Sequence, residues 1–138
     1  MSEKQHRKKA REAVLQALYA RHVSNEDEKK VLNDINERYQ FDKLTKIFVN
    51  ELFKSTIKNQ TTLDKKIESS LENWTLERVN IIDRLIMQMS ICEMSLMEDY
   101  DIPHKVTISS AIENAKKFSS EDSTAFVNGV LDSIHKTL

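Results

Sequence analysis

Glycine and proline are all but missing from this sequence: Gly129 and Pro103 are the only ones among its 138 residues. Hairpin turns and strand bulges lean on Gly, Pro and Asn, so this scarcity argues against a β-rich or α/β fold. It also excludes glycine-rich phosphate loops, because the dinucleotide fingerprint and the P-loop each need several glycines. Cys92 stands alone, which excludes an intrachain disulfide and points to a reducing compartment, the cytoplasm. No apolar run approaches the roughly 20 residues of a membrane span. The basic N-terminus leads into an amphipathic segment rather than the apolar stretch of a secretory signal. Metal-ligand clusters are missing too: His6, His22, His104 and His135 lie in four separate segments, with no H-E-x-x-H and no cysteine at ligand spacing. No nucleophile elbow or paired-carboxylate motif singles out a Ser, Asp or Glu. These absences speak for a binding protein rather than an enzyme, with no cofactor.

What is present is helical periodicity. A chain this long buries roughly 68–70% of its unfolded surface, enough to fold as one domain over 1–138 without a metal or disulfide staple. Residues 4–22 put Ala10, Ala13, Val14, Ala17 and Leu18 on one stripe. Helices follow over 28–38 (Val31, Leu32, Ile35) and 42–58, where Leu44, Ile47, Phe48 and Leu52 share a face. Thr61 or Thr62 starts a short helix with Leu63, Ile67 and Leu71, running toward Trp74. Thr75 serves as N-cap of the longest segment, about 76–98. That segment is apolar around much of its circumference, so it belongs at the centre. Pro103 bars its continuation. Ser109 or Ser110 opens the next helix, and Ser119-Ser120-Glu121-Asp122 the last, with acids where the helix dipole favours them. About seven helices with short loops make an all-α bundle. Gly129, inside the last helix, costs about 1 kcal/mol relative to alanine unless a neighbour packs closely there, so a close helix contact is expected. Cys92 and the methionines read as core filler.

The net charge of -1 hides an asymmetry. Residues 1–11 carry Lys4, Arg7, Lys8, Lys9 and Arg11 against Glu3, while the remainder holds 16 basic and 21 acidic residues. A basic tip on an acidic body is the layout of a localised polyanion site. A solvated helix start has the same composition. At about 100° per residue, Lys4, Arg7, Lys8 and Arg11 fall within about a quarter of the helix circumference, clear of the apolar stripe. The same row continues to Tyr19. Cations beside an aromatic suit single-stranded RNA, whose phosphates are held by charge and whose bases stack. By spacing alone, a partly buried core tyrosine with its hydroxyl at the rim is the slightly better reading of Tyr19.

Three segments together resemble one family. Ala10-Arg11-Glu12 with Gln16-Ala17-Leu18-Tyr19, then Asp101-Ile102-Pro103-His104-Lys105-Val106, then Glu121-Asp122-Ser123 leading into Phe126-Val127-Asn128-Gly129-Val130-Leu131-Asp132, are similar to bacterial NusB antitermination proteins. The likeness spans nearly the whole chain. It implies an all-α fold in two packed helical halves, here about 1–59 and 60–138. It also implies binding to the boxA element of nascent RNA, notably from ribosomal RNA operons, as a heterodimer with the small-subunit ribosomal protein NusE. That pair joins NusA, NusG and RNA polymerase to suppress termination. Carried over residue by residue, the RNA surface falls on Lys4, His6, Arg7, Lys8, Lys9 and Arg11, on Tyr19, and on Asp122 and Phe126. By periodicity Phe126 is core; the resemblance implies that its ring is reachable by a base. The NusE-facing surface falls on Glu77, Asp83 and Arg84 of the central helix.

Two departures stand out. Ser119 replaces a common glycine before the E-D-S segment, so the turn there is expected to differ in shape. Lysine and histidine dilute the arginines of the tip, and lysine lacks arginine's planar fork. A helical protein-binding scaffold without RNA contact is the alternative. NusB-like domains also occur fused to ribosomal RNA cytosine methyltransferases, but no α/β segment for cofactor chemistry follows here.

Overall fold

The structure, a computed structural model, describes residues 2–138. Seven α-helices follow one another: α1 (Glu3–Ser24), α2 (Glu28–Tyr39), α3 (Lys43–Lys58), α4 (Gln60–Ser69), α5 (Ile81–Leu96), α6 (His104–Phe118) and α7 (Glu121–His135). Short 3-10 turns at Leu76–Arg78 and Glu98–Tyr100 flank α5. Among the described residues there is no strand. The expected seven-helix all-α bundle is what forms.

Local chemistry sets the boundaries. Ser2 caps α1 in a reciprocal box: its hydroxyl accepts from the Gln5 N–H, and the Gln5 side chain accepts from the Ser2 N–H. Asn25 and Gln40 end α1 and α2 in the left-handed region, at φ 55° and 51°. The cap of α5 is Asn80, whose side chain accepts from the Ile82 N–H at 2.8 Å. Thr75 instead precedes the first 3-10 turn and makes no side-chain cap bond, which corrects the expected start of the central helix. Helix α6 begins at His104, a full turn and more before Ser109. Proline's fixed φ suits a helix start, and Pro103, at φ -58°, stands just ahead of α6; α5 has already ended at Leu96, seven residues earlier. Ser110 is consequently a buried mid-helix residue. Ser120 caps α7 as expected, accepting from the Ser123 N–H.

Helix α5 lies at the centre, packed against α1, α3, α4, α6 and α7. Leu85, Ile86, Met87, Ile91 and Cys92 are almost wholly enclosed. The buried face of α3 is Thr45, Phe48, Val49, Leu52, Phe53 and Thr56, so Leu44 (79% exposed) and Ile47 (49%) stand outside the core rather than in it. His104 at the start of α6 and His135 at the end of α7 meet with Nδ1 atoms 3.2 Å apart, tying those two ends together.

Gly129 is exposed, and a methyl group placed there meets nothing within 4 Å. Among the described residues, the close helix contact expected around it is absent.

Candidate nucleic-acid interface

The opening turns of α1 bury Ala10, Ala13, Val14 and Ala17 completely, which leaves Lys4, Lys8 and Lys9 in solvent. Lys8 Nζ lies 3.2 Å from Glu113 Oε2 on α6. Arg7 is half-buried: its guanidinium carbon sits 5.3 Å from the Phe48 ring centre and 5.4 Å from that of Tyr100, and Nη2 is 3.3 Å from Glu3. Two rings fix its direction by cation–π attraction, and 26% of the side chain stays exposed. His6 Nδ1 is 3.2 Å from Asp42 Oδ2. The Thr45 backbone N–H, donating to Asp42, holds that carboxyl below the usual range, and His6 adds a smaller pull the same way.

Arg11 does not belong to this exposed set. It is 5% exposed and donates to Glu93 on α5 through Nε (2.8 Å) and Nη2 (3.1 Å). The Thr107 hydroxyl of α6 donates to the same carboxylate. One buried acid thus gathers three helices, and the expected solvent-facing stripe ends at Lys8. The tip is displayed because Arg11 is anchored.

A second locus forms where α5 and α7 begin. Trp74, 58% exposed, faces Phe126 with ring centres 6.3 Å apart and planes at 41°. Around them Arg78, Val79, Asn80, Asp122 and Ser123 line a cleft of about 350 Å³. Phe126 is only partly buried, so core packing and an accessible ring coexist. Asp122 is exposed at its rim.

The residues expected to face a partner protein are distributed differently from expectation. Asp83 is 5% exposed and accepts from the Ser123 hydroxyl at 2.7 Å, pinning α7 to α5. Arg84 reaches Asp64 of α4 at 2.7 Å, and Asp64 also accepts from Gln88. Glu77 is exposed, but on the 3-10 turn before α5 rather than on the central helix. Tyr19 is 41% exposed and lies about 12 Å along α1 beyond Arg11, at 1.5 Å per residue.

Sequence reading missed Trp74, Tyr100 and Glu93. The signal for Glu93 was legible: a lone acid in an otherwise apolar helix stretch requires a buried cation. Trp74 followed a short helix and gave no periodic clue to Phe126, more than 50 residues away in sequence. Cys92 has no exposure, and burial pushes its thiol up to about 11, far from a nucleophile's range. Among the described residues no group of three or more His, Cys, Asp or Glu is placed to hold a metal, and no helix is long and apolar enough to cross a membrane.

The fold and surface define a class: an all-helical bundle with an exposed cationic edge on α1 and, at a separate place, a cleft carrying exposed aromatic rings. The chain belongs to the NusB family, whose model matches residues 8–136. It is 42% identical over 134 residues to the transcription antitermination protein NusB of Bacillus mycoides (strain KBAB4), covering 96% of this chain and 98% of that protein. The corresponding protein of Bacillus thuringiensis (strain Al Hakam) is 41% identical over the same length. T. maritima NusB superposes with a TM-score of 0.85 at 34% identity, over 94% of this chain and 90% of that one. The NusB chain crystallised with NusE and double-stranded RNA gives a TM-score of 0.86 at 21% identity, over 97% and 98% of the two chains, a likeness of fold alone.

Proposed function

We propose that this chain is a transcription antitermination factor that binds boxA RNA of nascent transcripts, notably from ribosomal RNA operons, as a heterodimer with NusE. In this reading it acts by binding, not catalysis, in the cytoplasm, and with NusE helps NusA, NusG and RNA polymerase assemble into a termination-resistant complex. One observation carries it: the Lys4, Lys8 and Lys9 ammonium groups stand clear of the core on α1, with Arg7 and His6 half-exposed beside them. Backbone phosphates would meet this edge. Bases would stack on Phe126, with Asp122 at its rim, and on Tyr19. Arg11 supports the edge from within.

NusE binding through the Glu77, Asp83 and Arg84 region remains part of the proposal, in altered form. Exposed Glu77 and half-exposed Arg84 are available for contact; Asp83 shapes that surface by fixing α7. A gel shift with boxA RNA, with and without NusE, tests the whole reading. A shift that NusE strengthens is expected. NusE binding with no RNA shift in any combination would leave a protein scaffold instead.

A further inference from the structure

The tip on α1 and the aromatic cleft at the start of α7 are separate loci, and the structure contains a cationic route between them. A groove of about 860 Å³ between α1 and α6 is lined by Lys4, Lys8, Lys105 and Ser109. It meets a second depression of about 240 Å³, lined by Lys116 and Lys117, because Lys8 and Glu113 border both. Lys116 Nζ then lies 3.6 Å from Glu121, the first residue of α7, and its neighbour Asp122 already borders the Trp74–Phe126 cleft. From Lys105 to Lys117 the route follows α6 for about 18 Å, at 1.5 Å per residue.

We infer that α6 carries the phosphodiester backbone of a bound single strand from the α1 tip to the Trp74–Phe126 cleft, with Lys105, Lys116 and Lys117 holding phosphates. This rests on the RNA-binding reading proposed above. The lysines of the route stand beside acids. Lys8 pairs with Glu113 at 3.2 Å and Lys117 with Glu12 at 3.1 Å, the latter carboxylate itself only 5% exposed. An ammonium has three donors, so a lysine that keeps one carboxylate still offers hydrogens to a phosphate. The acids aim the cations. Lys116 and Lys117 also sit in the last turn of α6, where the helix dipole favours positive charge. Ser109 adds an exposed hydroxyl donor near Lys105, and the half-buried ring of Phe118 lies 5.2 Å from the Lys117 ammonium. Cations with an aromatic beside them, joining a cationic tip to an aromatic cleft, suit a flexible strand.

The test is an anisotropy titration of labelled boxA RNA with the full chain plus NusE, repeated across salt concentrations. For single strands each phosphate contact contributes about 0.7 to the slope of log affinity against log salt. The Lys105→Gln, Lys116→Gln, Lys117→Gln triple variant is therefore expected to lower that slope by about 2. The Lys105→Gln, Lys116→Gln double variant leaves the Lys117–Glu12 pair intact, covers any folding defect of the triple, and should lower it by about 1.4. Wild-type slope and affinity in the folded variants, alongside weakened binding by a Lys8→Gln, Lys9→Gln variant, would overturn this route and leave RNA binding at the tip standing. Loss of NusE capture with an unchanged slope overturns it as well, reassigning the groove to protein. No RNA binding by the wild type with NusE removes the underlying reading itself.

Discussion

Arg11 and Glu93 show how a single pair governs the display of the tip. Both are almost wholly enclosed, and removing one partner of a buried pair typically costs about 3–5 kcal/mol, because the other charge is left uncompensated. Arg11→Met should destabilise the protein by that amount in urea unfolding. Adding Glu93→Met should restore most of the loss; a double variant as unstable as the single one would show that the pair is not the cause. Gly129 points the other way. With open space around it, Gly129→Ala should raise stability by about 1 kcal/mol; a lower melting temperature would reveal a neighbour not present in this chain's fold. Phe126→Ala and Trp74→Ala should each weaken RNA binding by about 1–3 kcal/mol if a base stacks there. Unchanged affinity in the folded variants would return both rings to a structural role. At this scale the sequence displayed the charges but not their burial. Arg7, Lys8 and Arg11 share a helix row, yet only the partner across the core, Glu93, decides which of them reaches water.

Among the elements, existence was easier to read than edges. The 3.6-residue spacing of Ala10, Ala13, Val14 and Ala17, or of Val127, Val130, Leu131 and Ile134, announces a helix whatever the partner, and all four residues of each set are buried. The start of α6 lies ahead of the serines that the sequence favours, because Pro103 suits the position before a helix as well as barring one. The face of α3 was misplaced because Leu44 and Ile47 are apolar without being enclosed, and apolar residues outside the core are ordinary. The start of α5 yields a prediction. Asn80→Ala removes a capping bond and should cost about 1 kcal/mol, whereas Thr75→Ala should cost less, having no side-chain cap to lose. The reverse order in urea midpoints would put the start of α5 back at Thr75. Acid acts on α3 through Asp42. Its carboxyl is held below the ordinary aspartate value of 3.8, so its capping of α3 is complete above that pH and is lost as pH falls through the lower, folded value.

Across the whole molecule, charge and shape divide the labour. The core around α5 holds the helices in register, and the α1 edge and the Trp74–Phe126 cleft open on its surface. The charge asymmetry along the chain made the first locus legible, because Lys4, Lys8 and Lys9 need no partner to be recognised as exposed cations. The second was half legible. Asp122 and Phe126 came from family likeness, whereas Trp74 joins them only through tertiary packing that no local pattern encodes. Asp83 looked like a surface acid and instead fastens α7 to α5. The most direct measurement is a titration of boxA RNA against the chain with NusE, comparing wild type with a Lys4→Glu, Lys8→Glu, Lys9→Glu variant. These exposed lysines leave the core untouched, so the variant should fold normally and lose RNA binding, while wild-type affinity falls steeply with salt. Undiminished binding by a folded variant would contradict the account.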